Sequence, residues 1–399
     1  MEKSSQTKML SNYFNKTKKR HIDWWETTYL LIYAIILVFT MWGTTMFPDI
    51  WPSRFGMFTY IIIMVYVAAK GVKKFTYNRY EIILAVVIGM SFLICAFKND
   101  MYSFLFMLAF LIVGAKDVSI DKILKVYLVV GIVMMVAAFV CSHYGIIENL
   151  QYWKNEKMRF SFGIVYPTDF AAHIFYITLA AVCLFNRKIH FVESIIICIV
   201  ACVVFKWTVA STSFICMIGY SICLVCISIV QMLSVEVKDN WFWKMCSITP
   251  VGFALLFIGM TILYDENNQT WLLINDKLSD RLTNSKIGLD INGFNLFGQY
   301  IEERGWGKSV IEKADYFYLD DSYIRIMLEY GIIVFVVVLA IFFIASRRAA
   351  KAGRMEMVLA IAFIALHSFM EHHLLEVAYD PFILCVFSNL CSDRRKTDA

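Results

Sequence analysis

Apolar runs long enough to cross a bilayer recur along this 399-residue chain, and only one of the breaks between them is long: apolar sequence stops at Tyr264 and resumes after Asp320. A connector needs no such length. A long polar segment that carries Arg281, Asp320 and a glycine-punctuated apolar stretch is where chemistry is expected. The residues are 60% hydrophobic and 17% charged, with a mean hydropathy of +0.64, whereas soluble chains are about a quarter charged. The expected fold class is therefore all-α, a polytopic membrane helix bundle with one long external loop.

Spans of about 20 apolar residues mark transmembrane helices. About twelve are read, at 25–46, 56–71, 80–97, 101–115, 122–142, 165–186, 190–206, 210–232, 244–264, 321–345, 354–370 and 374–390. The chain divides accordingly into a bundle of nine spans (1–264), the loop (265–320), and three further spans with a tail (321–399).

Short cytoplasmic loops retain Lys and Arg. With the N-terminus inside, one side collects Lys3 through Arg20, Lys70 to Arg79, Lys116 to Lys125, Arg187 and Lys188, Lys238 and Lys244, Arg347 to Arg354, and Arg394 to Lys396. Both termini are then expected in the cytoplasm and the long loop outside. Membrane orientation and anionic lipid account for the net charge of +5, so no nucleic-acid partner is implied. The first apolar span is too long for a signal peptide and reads as an anchor. None of the 11 cysteines lies in the external loops, so no disulfide framework is expected. Cys223 and Cys226 form a CxxC inside an apolar helix, where packing is the simpler reading.

Five places on the external side carry candidate chemistry. Arg159 precedes Pro167, Thr168 and Asp169 at the entry to the sixth span, and Pro167 suits a helix's first turn. A helix N-terminus with Arg159 a short loop away can hold anions and hydroxyls; the plainer alternative ties Arg159 to Asp169. Lys206, beside Ser211, Thr212 and Ser213, either snorkels or adds a positive charge to the same face. Within the loop, Leu278-Ser-Asp-Arg281-Leu opens an amphipathic helix capped by Ser279 or Asp280. Asp320 and Asp321 then run into the tenth span with Tyr323 and Arg325; helix capping explains one carboxylate and leaves the other free to act as a base. Near the C-terminal outer turn lie Glu371, His372, His373, Glu376 and Asp380. Adjacent histidines on a helix face about 100° apart and the spaced H-x-x-x-H is missing, so Glu371 lining a cavity is preferred to a metal.

Leu278 to Leu282 reads L-S-D-R-L and is followed by N-x-F-x-L-F-G ending at Gly298 and by L-D-D-S-Y from Leu319 into Tyr330-Gly331-Ile-Ile. Together these resemble the bacterial polysaccharide polymerases of the O-antigen polymerase and ligase superfamily. Arg159-x-Ser-x-Gly163 with Pro167-x-Asp169 is similar to that superfamily's R-x-x-G and P-N motif, with Asp169 in place of an Asn. The resemblance implies an inverting, metal-independent C-type glycosyltransferase without a cofactor. Its partners would be polyprenyl-diphosphate-linked glycans as donor and acceptor, membrane lipid and a chain-length regulator protein, at the outer face of a bacterial cytoplasmic membrane. It also implies that Arg281 is the loop arginine, with Gly298 its downstream glycine. Ligases carry His-Asn where this chain has Asp320-Asp321, which favours a polymerase with a carboxylate base. An O-antigen ligase-type transferase, and a lipid-linked oligosaccharide flippase or transporter, are the alternative readings.

Overall fold

A computed structural model describes residues 23–50, 56–74, 76–154, 156–185, 189–233, 241–305 and 316–391. The cationic segments before residue 23, Arg187 and Lys188, Lys238, Lys308 and Lys313, and the tail after 391 lie outside the described residues, and with them the placement of both termini.

Among the described residues the regular structure is helical apart from one small hairpin. Helices α1 (Trp24–Gly43), α2 (Gly56–Lys73), α3 (Arg79–Asn99), α4 (Tyr102–Gly114) and α5 (Ile120–His143) precede strands β1 (Gln151–Lys154) and β2 (Lys157–Phe160). There follow α6 (Pro167–Phe185), α7 (Phe191–Thr208), α8 (Ser211–Met232), α9 (Trp241–Cys246), α10 (Thr249–Leu263), α11 (Gln269–Lys277), α12 (Arg281–Asn292), α13 (Ser322–Arg325), α14 (Gly331–Lys351) and α15 (Met355–His367). Among the described residues, seven helical spans are long and apolar enough to cross a membrane.

Burial patterns show what surrounds the bundle. On α5, Ile123, Leu124, Tyr127, Met134 and Ala138 are buried, whereas Val129, Ile132, Val133, Val136 and Val140 on the opposite face are exposed and equally apolar. Water would favour a polar outer face; an apolar one fits hydrocarbon. This is a helical membrane protein.

The apolar runs coincide with helices except at two places. The ninth, 244–264, is two helices, because Ser247 and Ile248 form a turn and Pro250 occupies the first turn of α10. The twelfth, 374–390, is not an α-helix: only the short 3-10 turns His373–Leu375 and Phe382–Val386 interrupt an otherwise irregular path. Pro381 blocks a helix there, and the segment is nevertheless almost wholly buried in protein. It runs from Glu371, whose carbonyl accepts from the Ser322 hydroxyl at 2.6 Å, to Asn389, whose backbone pairs with Val118 and Ile120 at the opposite end of the bundle. Irregular backbone at such depth requires internal partners. Arg348 supplies them, its guanidinium donating to the carbonyls of Cys385 at 2.7 Å and Ser388 at 2.9 Å and also to Val386.

The long polar segment packs onto the bundle through a break in the span Ser322–Lys351. A π-turn at Ile326–Tyr330 ends at Gly331, with φ +93°. The backbone groups freed there pair with the loop: Gln299 N donates to Glu329 O at 3.2 Å, Ile332 N to Asn295 O at 3.0 Å and Ile333 N to Leu296 O at 3.2 Å. A Cβ on Gly298 would lie 2.1 Å from Glu329 O, and one on Gly331 2.3 Å from Gly298 N, so only glycine allows this backbone-on-backbone seam.

Candidate functional site

Polar groups from five parts of the chain meet at the end of the bundle where the loop docks. Asp321 is the N-cap of α13: its Oδ1 accepts from Ile324 N at 2.7 Å and its Oδ2 from the Ser285 hydroxyl of α12 at 2.6 Å. Both oxygens are thereby committed and the side chain is fully buried. Burial pushes its carboxyl up to about 7 against those two hydrogen bonds. Asp320, one residue earlier, points elsewhere. Its Oδ2 lies 3.5 Å from Arg281 Nη2 and accepts from the Tyr316 hydroxyl at 3.5 Å. Burial raises its pKa above the usual carboxylate value, more than Arg281 and Arg325 lower it.

Arg281 opens α12 after two residues, Ser279 and Asp280, with φ +52° and +64°. Asp280 holds the cap position without a side-chain cap bond; its Oδ1 accepts instead from Asn275 at 3.1 Å. The strained turn aims Arg281 inward, where Nη1 donates to Ser279 O at 3.0 Å and Nε to Met370 O at 3.3 Å. Burial works against its charge, yet Asp320 and Glu371 hold its pKa above the ordinary value. Glu371 is buried beside it.

Arg159 sits on β2 opposite Tyr152 and is only 3% exposed. Its Nε donates to Thr208 O at 2.7 Å, its guanidinium lies 5.4 Å from the centre of the Tyr166 ring, and its Nη2 is buried without a hydrogen-bond partner. It is not the partner of Asp169, which faces His373 Nε2 at 3.6 Å. Tyr166 marks the convergence: burial raises its phenol, Arg159 and Arg281 lower it, and Asp320 and Asp169 raise it further.

Two cavities border these residues. One of about 120 Å³ is lined by Tyr166, Thr168, Asp169, Tyr316 and Asp320, with Tyr318 and His372. The other, about 300 Å³, is lined by Phe104, Arg325, Tyr330 and Glu376, again with Tyr318 and His372. Tyr318 and His372 are thus the shared wall, their rings edge-on at 5.4 Å and the hydroxyl 3.4 Å from Nε2.

Three residues expected at the site are placed differently. Lys206 is exposed, its ammonium 5.4 Å from the Trp207 ring centre, and does not join the cluster; a long cationic chain at a helix end reaches outward. Tyr323 is fully buried and donates to Ala365 O at 2.5 Å, because the turn of α13 beyond the Asp321 cap directs it into the core. Arg325 lines the larger cavity but is held by Glu303, by Glu329 at 3.2 Å and by Leu319 O at 3.1 Å.

The histidines form a layer beneath. Tyr379 is stacked between His173, at 3.9 Å, and His373, at 3.8 Å. His373 Nε2 lies 3.6 Å from Asp169 Oδ1, and its Nδ1 lies 3.2 Å from Glu376 Oε2. Ser285, Glu303 and Tyr318 carry no sequence signal, since each acquires its partner only through the folded loop.

Comparison of the chain with protein-family models, characterised proteins and solved structures finds no match in any of the three.

Proposed function

We propose that this protein is a polysaccharide polymerase that joins polyprenyl-diphosphate-linked oligosaccharide units, with the Asp320 end of the bundle at the outer face of a bacterial cytoplasmic membrane. The observation that carries this reading is the meeting of Arg281, Arg159, Asp169 and Asp320 around Tyr166 at one end of a membrane bundle. An acceptor hydroxyl oxygen attacks the anomeric carbon of the donor, the bond from that carbon to the diphosphate oxygen breaks, and the configuration inverts. Asp320 takes the hydroxyl proton, and Arg281 stabilises the polyprenyl diphosphate that leaves, through hydrogen bonds that strengthen as its charge develops. Arg159, with its free buried Nη2, serves the second lipid diphosphate. The chain crosses the membrane twelve times in this reading, the ninth crossing being α9 with α10 and the twelfth the irregular segment 371–391.

The pairing of loops supports that count. The end of α1 meets the approach to α6 through Thr45 and Ile164 at the Asp320 end, and Ser119 meets Asn389 at the other. Purified protein incubated with radiolabelled lipid-linked repeat units is expected to yield a ladder of lengthening products. Transfer of a single preformed chain would favour the ligase-type reading, and movement of the unit across a vesicle membrane without any ladder would favour the flippase.

A further inference from the structure

Histidines 372 and 373 would diverge on an α-helix, but the chain is not α-helical there. The turn that replaces the helix brings both rings to one carboxylate: His372 Nε2 lies 3.4 Å from Glu376 Oε1, and His373 Nδ1 lies 3.2 Å from Glu376 Oε2. The ring centroids are 4.2 Å apart. Ligand bonds of about 2.0–2.1 Å around a tetrahedral ion separate the ligand atoms by roughly 3.4 Å. The two ring-to-carboxylate distances already have that value, and all three ligand atoms lie within 4.8 Å of one another.

Two independent features point the same way. A metal-bound imidazole usually directs its other nitrogen at a carboxylate, and His373 Nε2, 3.6 Å from Asp169 Oδ1, is buried without a closer partner. His372 and Glu376 also line the larger cavity, which leaves one side of the group open, with the Tyr318 hydroxyl beside it.

We propose that His372, His373 and Glu376 bind a divalent transition-metal ion, zinc, with Asp169 orienting His373 and a fourth position open to the 300 Å³ cavity. Two imidazoles and one carboxylate suit zinc, which imposes no geometry of its own, better than magnesium or calcium, which take oxygen ligands. The ion ties the turn 371–376, through Asp169, to the first turn of α6, and so fixes the wall that both cavities share. It takes no part in the transfer step described above, and its presence is measurable whether or not that step is correct.

The test uses the full untagged chain in detergent, stripped with a chelator, dialysed, and titrated with Zn²⁺ against a chromophoric competitor. One equivalent per chain is expected. Replacement by Co²⁺ should give d–d absorption without a thiolate charge-transfer band, which separates this site from the 11 cysteines. Glu376→Gln, at a side chain that is 32% exposed and so tolerant of change, should abolish the bound equivalent. Asp169→Asn should keep the stoichiometry and weaken binding by about 10- to 100-fold. A zinc-dependent rise in melting temperature should occur in the wild type and not in Glu376→Gln, which guards against a merely misfolded variant. Absence of retained ion, equal binding by wild type and Glu376→Gln, or a thiolate band in the cobalt protein would overturn the proposal and leave His373 as the ion-pair partner of Asp169 and Glu376 alone.

Discussion

The Ser285 hydroxyl donates to Asp321 Oδ2 at 2.6 Å, so the second helix of the long polar segment is fastened to the cap of α13. The same bond separates the roles of two adjacent carboxylates, since Asp321 has no oxygen left for a substrate whereas Asp320 borders a cavity. Asp320→Asn is expected to abolish chain growth while the lipid-linked unit still binds. Asp321→Asn keeps an acceptor for Ile324 N and a donor for Ser285, and should be mild. Asp321→Ala removes both contacts and should cost about 1–3 kcal/mol of stability. Ladder assays and thermal melts of the three variants check this, and the reverse ranking of the two Asn variants would exchange the roles.

The pH dependence follows from the raised carboxyls. Asp320 is a base only when ionised, so polymerisation should rise with pH through a midpoint above the ordinary carboxylate range. Stability should run the opposite way. Asp321 keeps its proton in the folded state up to about pH 7, whereas the unfolded chain loses it near the ordinary aspartate value of 3.8. Between those values the unfolded state binds fewer protons, and stability falls as pH rises, levelling off above about 7. Melting temperatures of the wild type should show this decline, and those of Asp321→Asn a flatter one.

Arg281 offers three nitrogens to Ser279 O, Met370 O and Asp320. A lysine ammonium cannot reproduce that fork. Arg281→Ala is expected to remove about 2–4 kcal/mol of transition-state stabilisation, and Arg281→Lys to be nearly as poor. Rates on the lipid-linked donor measure both, and an Arg281→Ala protein that inserts and polymerises at the wild-type rate would sink the assignment.

Much of this arrangement is legible in the sequence, because a membrane chain has few reasons to place Arg281, Asp320 and Asp169 where it does. The apolar period likewise marks the helices. It misleads at 374–390, where apolar composition reports burial inside protein and carries no information on helicity. The histidine cluster is illegible for the same reason, since His372 and His373 diverge only on an α-helix and the turn after Met370, with Pro381 beyond it, forms none. The inward direction of Tyr323 is not legible, because one sequence does not set the helical phase beyond a cap. Glu303 and Ser285 reach Arg325 and Asp321 across 22 and 36 residues, and no local pattern encodes such pairings.

The loop seam at Gly298 and Gly331 should be intolerant of any side chain. Gly298→Ala forces a Cβ against Glu329 O at 2.1 Å in backbone of φ +78°, so the loop must lift from the π-turn. Faster cleavage by an added protease within 265–305, with activity lost and the bundle still folded, is the expected result.

Sidedness is tested by Asn267→Cys, an exposed position before α11. A membrane-impermeant thiol reagent applied to intact cells should label it. Labelling only after permeabilisation would invert the proposed orientation and remove the site from the outer face.

Arg348 is the residue on which the irregular twelfth segment depends. Its guanidinium satisfies the carbonyls of Cys385, Val386 and Ser388, none of which has a helix to supply a donor. In an apolar surrounding each orphaned carbonyl costs on the order of 1–3 kcal/mol. Arg348→Met preserves much of the side chain's volume and deletes the donors, so it should lower the melting temperature sharply, and Arg348→Lys should recover only part of the loss because three carbonyls need a fork. The other end of the segment carries Glu371, His372, His373 and Glu376, so loosening 385–388 should propagate to the shared wall of the cavities and reduce polymerisation before the protein unfolds. An Arg348→Met protein with wild-type stability would mean that the backbone of 385–388 finds other donors.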